Sequence, residues 1–147
     1  METWPSVKLN PQEGYDMCLG CGKANPIGLK LKFDWDEQTK TASASFIPGE
    51  NLQGWPNYLH GGMTALVLDE AMGWAAMFAG VHNITAKMQV RFRRLVPIGQ
   101  NYRVSCRIAR HTSRLIETEA ILADLSGNVF AEGTSTQFII KSEEEKQ

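Results

Sequence analysis

Gly61-Gly62-Met63-Thr64-Ala65-Leu66-Val67-Leu68-Asp69-Glu70-Ala71-Met72-Gly73-Trp74-Ala75-Ala76-Met77-Phe78-Ala79 carries two acids, Asp69 and Glu70, among mostly apolar and small residues. Met63, Ala65, Leu66, Leu68, Ala71, Met72, Ala75 and Ala76 are good helix residues, and Gly80 is a natural stop, so a helix is predicted from Gly61 to Ala79. This helix is apolar on nearly every side. Such a helix either spans a membrane or is wrapped by other elements of its own protein. Its length is borderline for a bilayer, and Asp69 and Glu70 at its middle are costly in lipid. It is therefore read as a buried central helix.

Working outward, Leu29-Lys30-Leu31-Lys32-Phe33-Asp34-Trp35 alternates apolar and polar residues, the mark of a half-buried strand. Glu37 to Lys40 reads as a turn, Thr41 to Ile47 as the second strand of a hairpin, and Pro48 to Pro56 as loop. After the helix, four strands are expected at Asn83–Leu95, Gln100–His111, Leu115–Leu125 and Val129–Lys141. Pro97-Ile98-Gly99 and Ser126-Gly127-Asn128 supply turns, the latter a tight hairpin. The expected organisation is a lead-in over residues 1–28, a domain over 29–141 and a charged tail over 142–147. The class is α+β, an antiparallel five- to six-stranded sheet wrapped around one long apolar helix. One such sheet covers only part of the helix, so the remaining apolar surface points to a second subunit.

The chain has 147 residues, enough for one domain with a real core and no disulfides. A net charge of −1 gives no global argument for a nucleic-acid or membrane partner. Residues 1–19 lack the apolar run and basic start of a secretory signal, and three cysteines do not make a disulfide framework. A reduced, cytoplasmic setting is the default expectation.

The chemistry concentrates in Gln53-Gly54-Trp55-Pro56-Asn57-Tyr58-Leu59-His60-Gly61-Gly62, running into Leu68-Asp69-Glu70. Glycines at a helix start allow close backbone approach, and the first N–H groups of a helix lack internal partners. They form a site for developing negative charge. A carboxylate follows on the same helix, and a base or nucleophile beside a polarised carbonyl is what acyl transfer to water requires. The alternative is that the glycines serve packing and Asp69 is a satisfied structural carboxylate. Glu70 points ~100° away around the helix and is expected to contact loop backbone. His60 is read as a loop-ordering or capping residue at least as readily as a proton carrier, and His82 and His111 as strand-end residues.

Two further features stand out. Cys18 and Cys21 form a Cys-x-x-Cys, but a closed zinc site needs four ligands and no second pair has suitable spacing. Cys106 falls in an expected strand, and a thioredoxin-like helix context is missing around Gly20, Gly22, Pro26 and Gly28. A structural lead-in is the favoured reading, with metal or redox chemistry as alternatives. All seven arginines lie between Arg91 and Arg114, where no acid occurs. Arg103 and Arg107 can pair across strands with Glu117 and Glu119. Arg91, Arg93, Arg94, Arg110 and Arg114 are candidates to hold phosphate groups, which suit arginine forks.

The segments "QGWPNYLHGG" and "LDEAMGWA" closely resemble hotdog thioesterases of the phenylacetate-pathway and mammalian thioesterase-superfamily type. The resemblance extends to "CLGCGKANPIGLKLKF", "ITAKMQVRFRRLVPIG" and "AEGTSTQFII", covering most of the chain. It implies a hotdog fold and the hydrolysis of an acyl-CoA thioester, so that Arg91, Arg93, Arg94, Arg110 and Arg114 are the expected landing site for the phosphates of coenzyme A. It also implies that the Gly61 N–H polarises the carbonyl, that Asp69 is general base or nucleophile, and that Thr85 assists the water. Gln53 best fits the family's carbonyl-holding amide. By strict alternation Ile84, Ala86, Met88, Val90 and Phe92 share a face opposite Thr85. Its family role therefore needs a bulge, a later strand start or a site at a subunit seam.

Gly61 and Asp69 lie ~12 Å apart along one helix, whereas a reacting carbon must lie within ~3 Å of both groups. If both act, they come from two subunits of a homo-oligomer related by a twofold axis. The reading is thus an acyl-CoA thioesterase that needs no cofactor or metal. A non-catalytic acyl-CoA-binding or sensing module is the alternative, and a hotdog dehydratase or hydratase ranks third. Met63, Leu66, Met72, Trp74 and Met77 suggest an apolar acyl pocket.

Overall fold

The computed structural model describes residues 15–140; the expected tail and the first part of the lead-in lie outside them. The central helix, α1, runs Gly61–Phe78 and buries Thr64, Val67, Leu68, Ala71, Met72, Ala75 and Ala76. Their spacing of three and four residues makes one stripe, and each fully buried Leu or Met contributes roughly 1.5–3 kcal/mol. His60 caps the start, its Nδ1 accepting the Gly62 N–H at 2.8 Å. A Cβ on Gly62 would lie 3.0 Å from that nitrogen, so this glycine serves the cap. At the other end Gly80 takes φ +92°. Its N–H bonds Met77 O at 2.9 Å and the Val81 N–H bonds Ala76 O at 3.2 Å, the paired pattern that glycine permits after a helix.

Six strands follow the expected order: β1 Asp34–Asp36, β2 Thr41–Phe46, then after α1 β3 His82–Phe92, β4 Tyr102–His111, β5 Leu115–Asp124 and β6 Val129–Ile140. They form one sheet in the order β1-β2-β4-β5-β6-β3, with every neighbouring pair antiparallel. Ala42, Ala44, Phe46, Val104, Cys106, Ala120, Leu122 and Ala131 pack beneath α1. β3 is an edge strand, bonded on one side to β6.

The expected strand at Leu29–Trp35 is mostly not a strand. Leu31 and Phe33 are buried, as alternation requires. However, Lys30 takes φ +54°, and the Leu29 and Leu31 N–H groups bond Leu19 and Gly20 carbonyls, both at 2.9 Å. The alternation records burial against α1 rather than a ladder. Phe33 stacks on Trp74 and Trp35 on Phe78, so Trp74 lies in an aromatic cover over the C-terminal half of α1. Met72 is fully buried. Met63, Leu66, Trp74 and Met77 stay half-exposed.

Candidate active site

Asp69 sits half-buried near the middle of α1, where its Oδ1 accepts a 2.6 Å hydrogen bond from Thr85 Oγ1. Thr85 reaches the helix because the β3–β6 register slips: Thr85 pairs with Gln137 and Lys87 with Thr136, leaving Ala86 bulged. The bulge puts Thr85 on the inward face with Met88 and Val90, which pack against the core. Of the three arrangements the alternation left open, the protein uses the bulge.

Behind Thr85 stands a residue the sequence reading missed. Gln137 is fully buried on β6, and its Nε2 donates to Thr85 Oγ1 at 3.1 Å. Thr85 thus has one lone pair engaged and its proton directed at Asp69. The buried Gln137 Oε1 has no partner among the described residues. A polar residue just before the apolar run Phe138-Ile139-Ile140, at the end of a strand pattern, was the available signal. The arrangement makes two opposite demands. Gln137→Met should keep the volume and remove a carbonyl left unsatisfied at a cost of about 1–3 kcal/mol, so the melting temperature should hold or rise. Turnover should fall about fivefold, the equivalent of one ordinary hydrogen bond, as Thr85 loses its anchor. Parallel melting and turnover assays separate the effects, and equal losses in both would make Gln137 a packing residue only.

Gly61 occupies the first helical position, and its N–H has no acceptor among the described residues. A Cβ there would meet only the Phe92 ring, at 3.6 Å, so packing within the chain does not demand glycine. Gly61 and Asp69 lie on the same helix at the spacing that separates them by ~12 Å. The preceding loop is pinned by His60 N–H to Leu52 O at 2.9 Å and Leu59 N–H to Val96 O at 2.8 Å. Within it, Gln53 Nε2 donates to Glu50 O at 2.6 Å and its Oε1 accepts from the Asn57 N–H. The Gln53 amide therefore organises its own loop in the single chain. His60 Nδ1 is likewise occupied as the cap.

The five candidate arginines fall at two ends of the sheet. Arg91 lies at the end of β3, and the Arg93 and Arg94 N–H groups bond Phe130 O. The Arg114 carbonyl accepts from Ile139 N–H, nine residues along the β6 segment, or roughly 30 Å at 3.3 Å per residue. Gly61 shares the first end through Phe92. Asp69, through Thr85 and Gln137, lies toward the second. Arg93 pairs with Glu132 at 2.5 Å and Arg110 with Glu117 at 3.7 Å. Arg107 pairs with Glu119, as expected, but Arg103 donates to Ser43 Oγ instead of a glutamate. Arg91, Arg94 and Arg114 form no ion pair among the described residues. The Arg93 guanidinium pulls the exposed Glu132 carboxyl below its ordinary value.

Glu70, expected to contact loop backbone, instead accepts a side-chain hydrogen bond: Cys18 Sγ donates to its Oε1 at 3.3 Å. Burial, then the Cys18 and Glu70 groups beside it, push the Cys21 thiol well up. Cys106 is buried in the core, its thiol pushed up to about 12 chiefly by desolvation, and stands apart from the other two.

An antiparallel sheet laid over one long helix, with an acid at the helix middle, defines a hotdog-fold protein. A model of the thioesterase superfamily matches residues 56–131 of the 147, more than half of the chain, and the chain belongs to that superfamily. Human acyl-coenzyme A thioesterase THEM5 is 36% identical over 78 residues, 53% of this chain and 32% of that protein. The chain's match thus spans about a third of that relative's length. The crystal structure of protein RHA08564, a thioesterase superfamily protein, superposes with a TM-score of 0.79 at 21% identity, covering 90% of this chain and 71% of that one. The E. coli PaaI protein from the phenylacetic acid degradation operon gives 0.70 at 13% identity over 78% of this chain and 82% of that one.

Proposed function

We propose that this protein hydrolyses an acyl-coenzyme A thioester to the free acid and coenzyme A, in a site built from two copies of the chain. The observation that carries the reading is the Asp69 carboxylate, held by Thr85 Oγ1 at 2.6 Å on an otherwise apolar helix. An oriented carboxylate is suited to attack the thioester or to take a proton from water. The Gly61 N–H, unpartnered at a helix start, is suited to the oxygen on which charge develops. The relative THEM5 is named as an acyl-coenzyme A thioesterase, which agrees with this chemistry. Released thiol measured over a panel of acyl-CoA substrates tests it. Saturable binding without thiol release on every member would favour a non-catalytic binding module instead.

The twofold pairing follows from reach. A carbonyl carbon cannot touch both Gly61 and Asp69 of one helix. Placing Gly61 of one copy against Asp69 of its partner resolves this. It also brings the Arg91–Arg94 end of one chain toward the Arg110–Arg114 end of the other. The edge of β3, unpaired among the described residues, offers backbone groups for such a contact. The same reading places the protein in the cytoplasm, where its three free thiols persist.

Coenzyme A should then be held electrostatically. Charge reversal at Arg93, Arg94 or Arg114 is expected to raise KM for acyl-CoA in at least one case, while hydrolysis of short pantetheine thioesters changes much less. The KM effect should shrink as salt rises, since exposed charges are screened over about 10 Å at 0.1 M. Unchanged KM and salt dependence in all three variants would return these arginines to a solvated surface.

A further inference from the structure

We propose that Cys18, Cys21 and Glu70 bind a transition-metal ion of the zinc class, leaving a fourth position for water. The sequence alone offered two ligands; the fold supplies the third from α1. The two sulfurs and a Glu70 carboxylate oxygen all lie within 4.8 Å of one another, and Cys18 Sγ is 3.3 Å from Glu70 Oε1. Tetrahedral zinc with Zn–S of about 2.3 Å and Zn–O of about 2.1 Å needs its ligand atoms roughly 3.5–3.8 Å apart. Side-chain rotation of an ångström or less brings the three groups onto one ion.

The turn carrying the cysteines is built to face the helix. The Gly22 N–H closes it onto Cys18 O at 2.9 Å, and the Ala24 N–H bonds Asp16 O at 2.9 Å. A Cβ on Gly22 would lie 2.4 Å from Asp16 O and 2.5 Å from Cys18 N, so the turn closes only with glycine there. A Cβ on Gly20 would lie 2.2 Å from both Glu70 Cγ and Cδ. Gly20 leaves the space that the carboxyl group occupies between the cysteines. Leu29 and Leu31 then tie the incoming chain to Leu19 and Gly20 by backbone bonds. Glycines and cysteines of the one run Cys18-Leu19-Gly20-Cys21-Gly22 thus serve a single arrangement over Glu70.

Ligand chemistry selects the ion. Two thiolates and one carboxylate suit Zn²⁺ or Co²⁺, whereas Mg²⁺ and Ca²⁺ take oxygen ligands. The half-buried Glu70 has no basic side chain paired with it among the described residues, so its carboxylate is available as a ligand; binding the ion releases the two thiol protons. The ion is placed to staple the segment before β1 to α1 one residue from Asp69, and the hydrolysis proposed above does not require it.

Cobalt titration of the reduced, metal-free full chain tests this. Expected are thiolate-to-cobalt charge-transfer absorbance and strong visible bands saturating at one equivalent per chain. Cys18→Ser and Cys21→Ser should each abolish or sharply reduce that absorbance, and Cys106→Ser should leave it unchanged. Glu70→Gln should weaken the metal by about 10-fold or more and shift the visible bands. Zinc removal should lower the melting temperature of the parent protein but not of Cys21→Ser. Absence of charge-transfer absorbance in the reduced parent chain overturns the proposal without reference to any variant. So does full absorbance in Cys21→Ser. A Cys18–Cys21 disulfide that forms equally fast with or without zinc would identify a redox pair instead.

Discussion

Replacing Asp69 with asparagine is expected to leave the fold intact and lower thioester turnover by roughly 10²-fold or more, the usual scale for a positioned base or nucleophile. Asparagine has nearly the same shape, and its side-chain carbonyl can still accept the Thr85 Oγ1 hydrogen bond now made at 2.6 Å. Asp69 is half-buried, outside the stripe of fully buried helix residues, so packing changes little. What disappears is the ability to take a proton or attack the carbonyl. The comparison needs an acyl-CoA that the parent protein clearly hydrolyses. Turnover within a factor of about 3 of the parent would remove Asp69 from the chemistry. An unchanged melting temperature beside a large loss would exclude a trivial folding effect.

The second large effect is a recovery. Asp69→Asn chains and Gly61→Pro chains should each be inactive alone and regain activity when mixed and allowed to exchange. Gly61→Pro is a suitable partner because Gly61 is the first helical position, where proline is tolerated and only an unpaired N–H is lost. The preceding His60 already has φ −59° and ψ 134°, the extended backbone that a following proline requires. The space at Gly61 holds only the Phe92 ring edge, at 3.6 Å from an added Cβ. In a mixed dimer with cross-subunit sites, one site carries both defects and the other carries neither. Random exchange makes about half the dimers mixed, so about a quarter of parental activity should return if sites act independently. Sites built within one chain would each keep a defect and recover nothing. No recovery, once mass or tag pull-down verifies exchange, would end the shared-site arrangement.

The fold class is legible in the residue pattern. A helix apolar on nearly every side, followed by four β segments, has few ways to bury itself, and alternation along those segments says which face turns inward. The same run determined where the acid sits, since Asp69 is conspicuous among Ala, Leu and Met. Alternation failed wherever backbone geometry departed from it. Lys30, at φ +54°, breaks the first expected strand while Leu31 and Phe33 still bury. The bulge at Ala86 reverses the face of Thr85. Neither is written in hydrophobic period, which encodes burial and not hydrogen-bond register.

Which distant residues meet is set by the assembled fold and not by local pattern. Gln137 lies 52 positions from Thr85 and Cys18 lies 52 from Glu70, yet each pair is in hydrogen-bond contact. Strand direction and register likewise separate Arg91–Arg94 from Arg114 along β6, although in sequence they look like one cluster. Such meetings depend on strand order, register and the docking of the lead-in on α1, each set by packing of the whole chain. Local pattern says that a residue turns inward; only the assembled sheet says what it finds there.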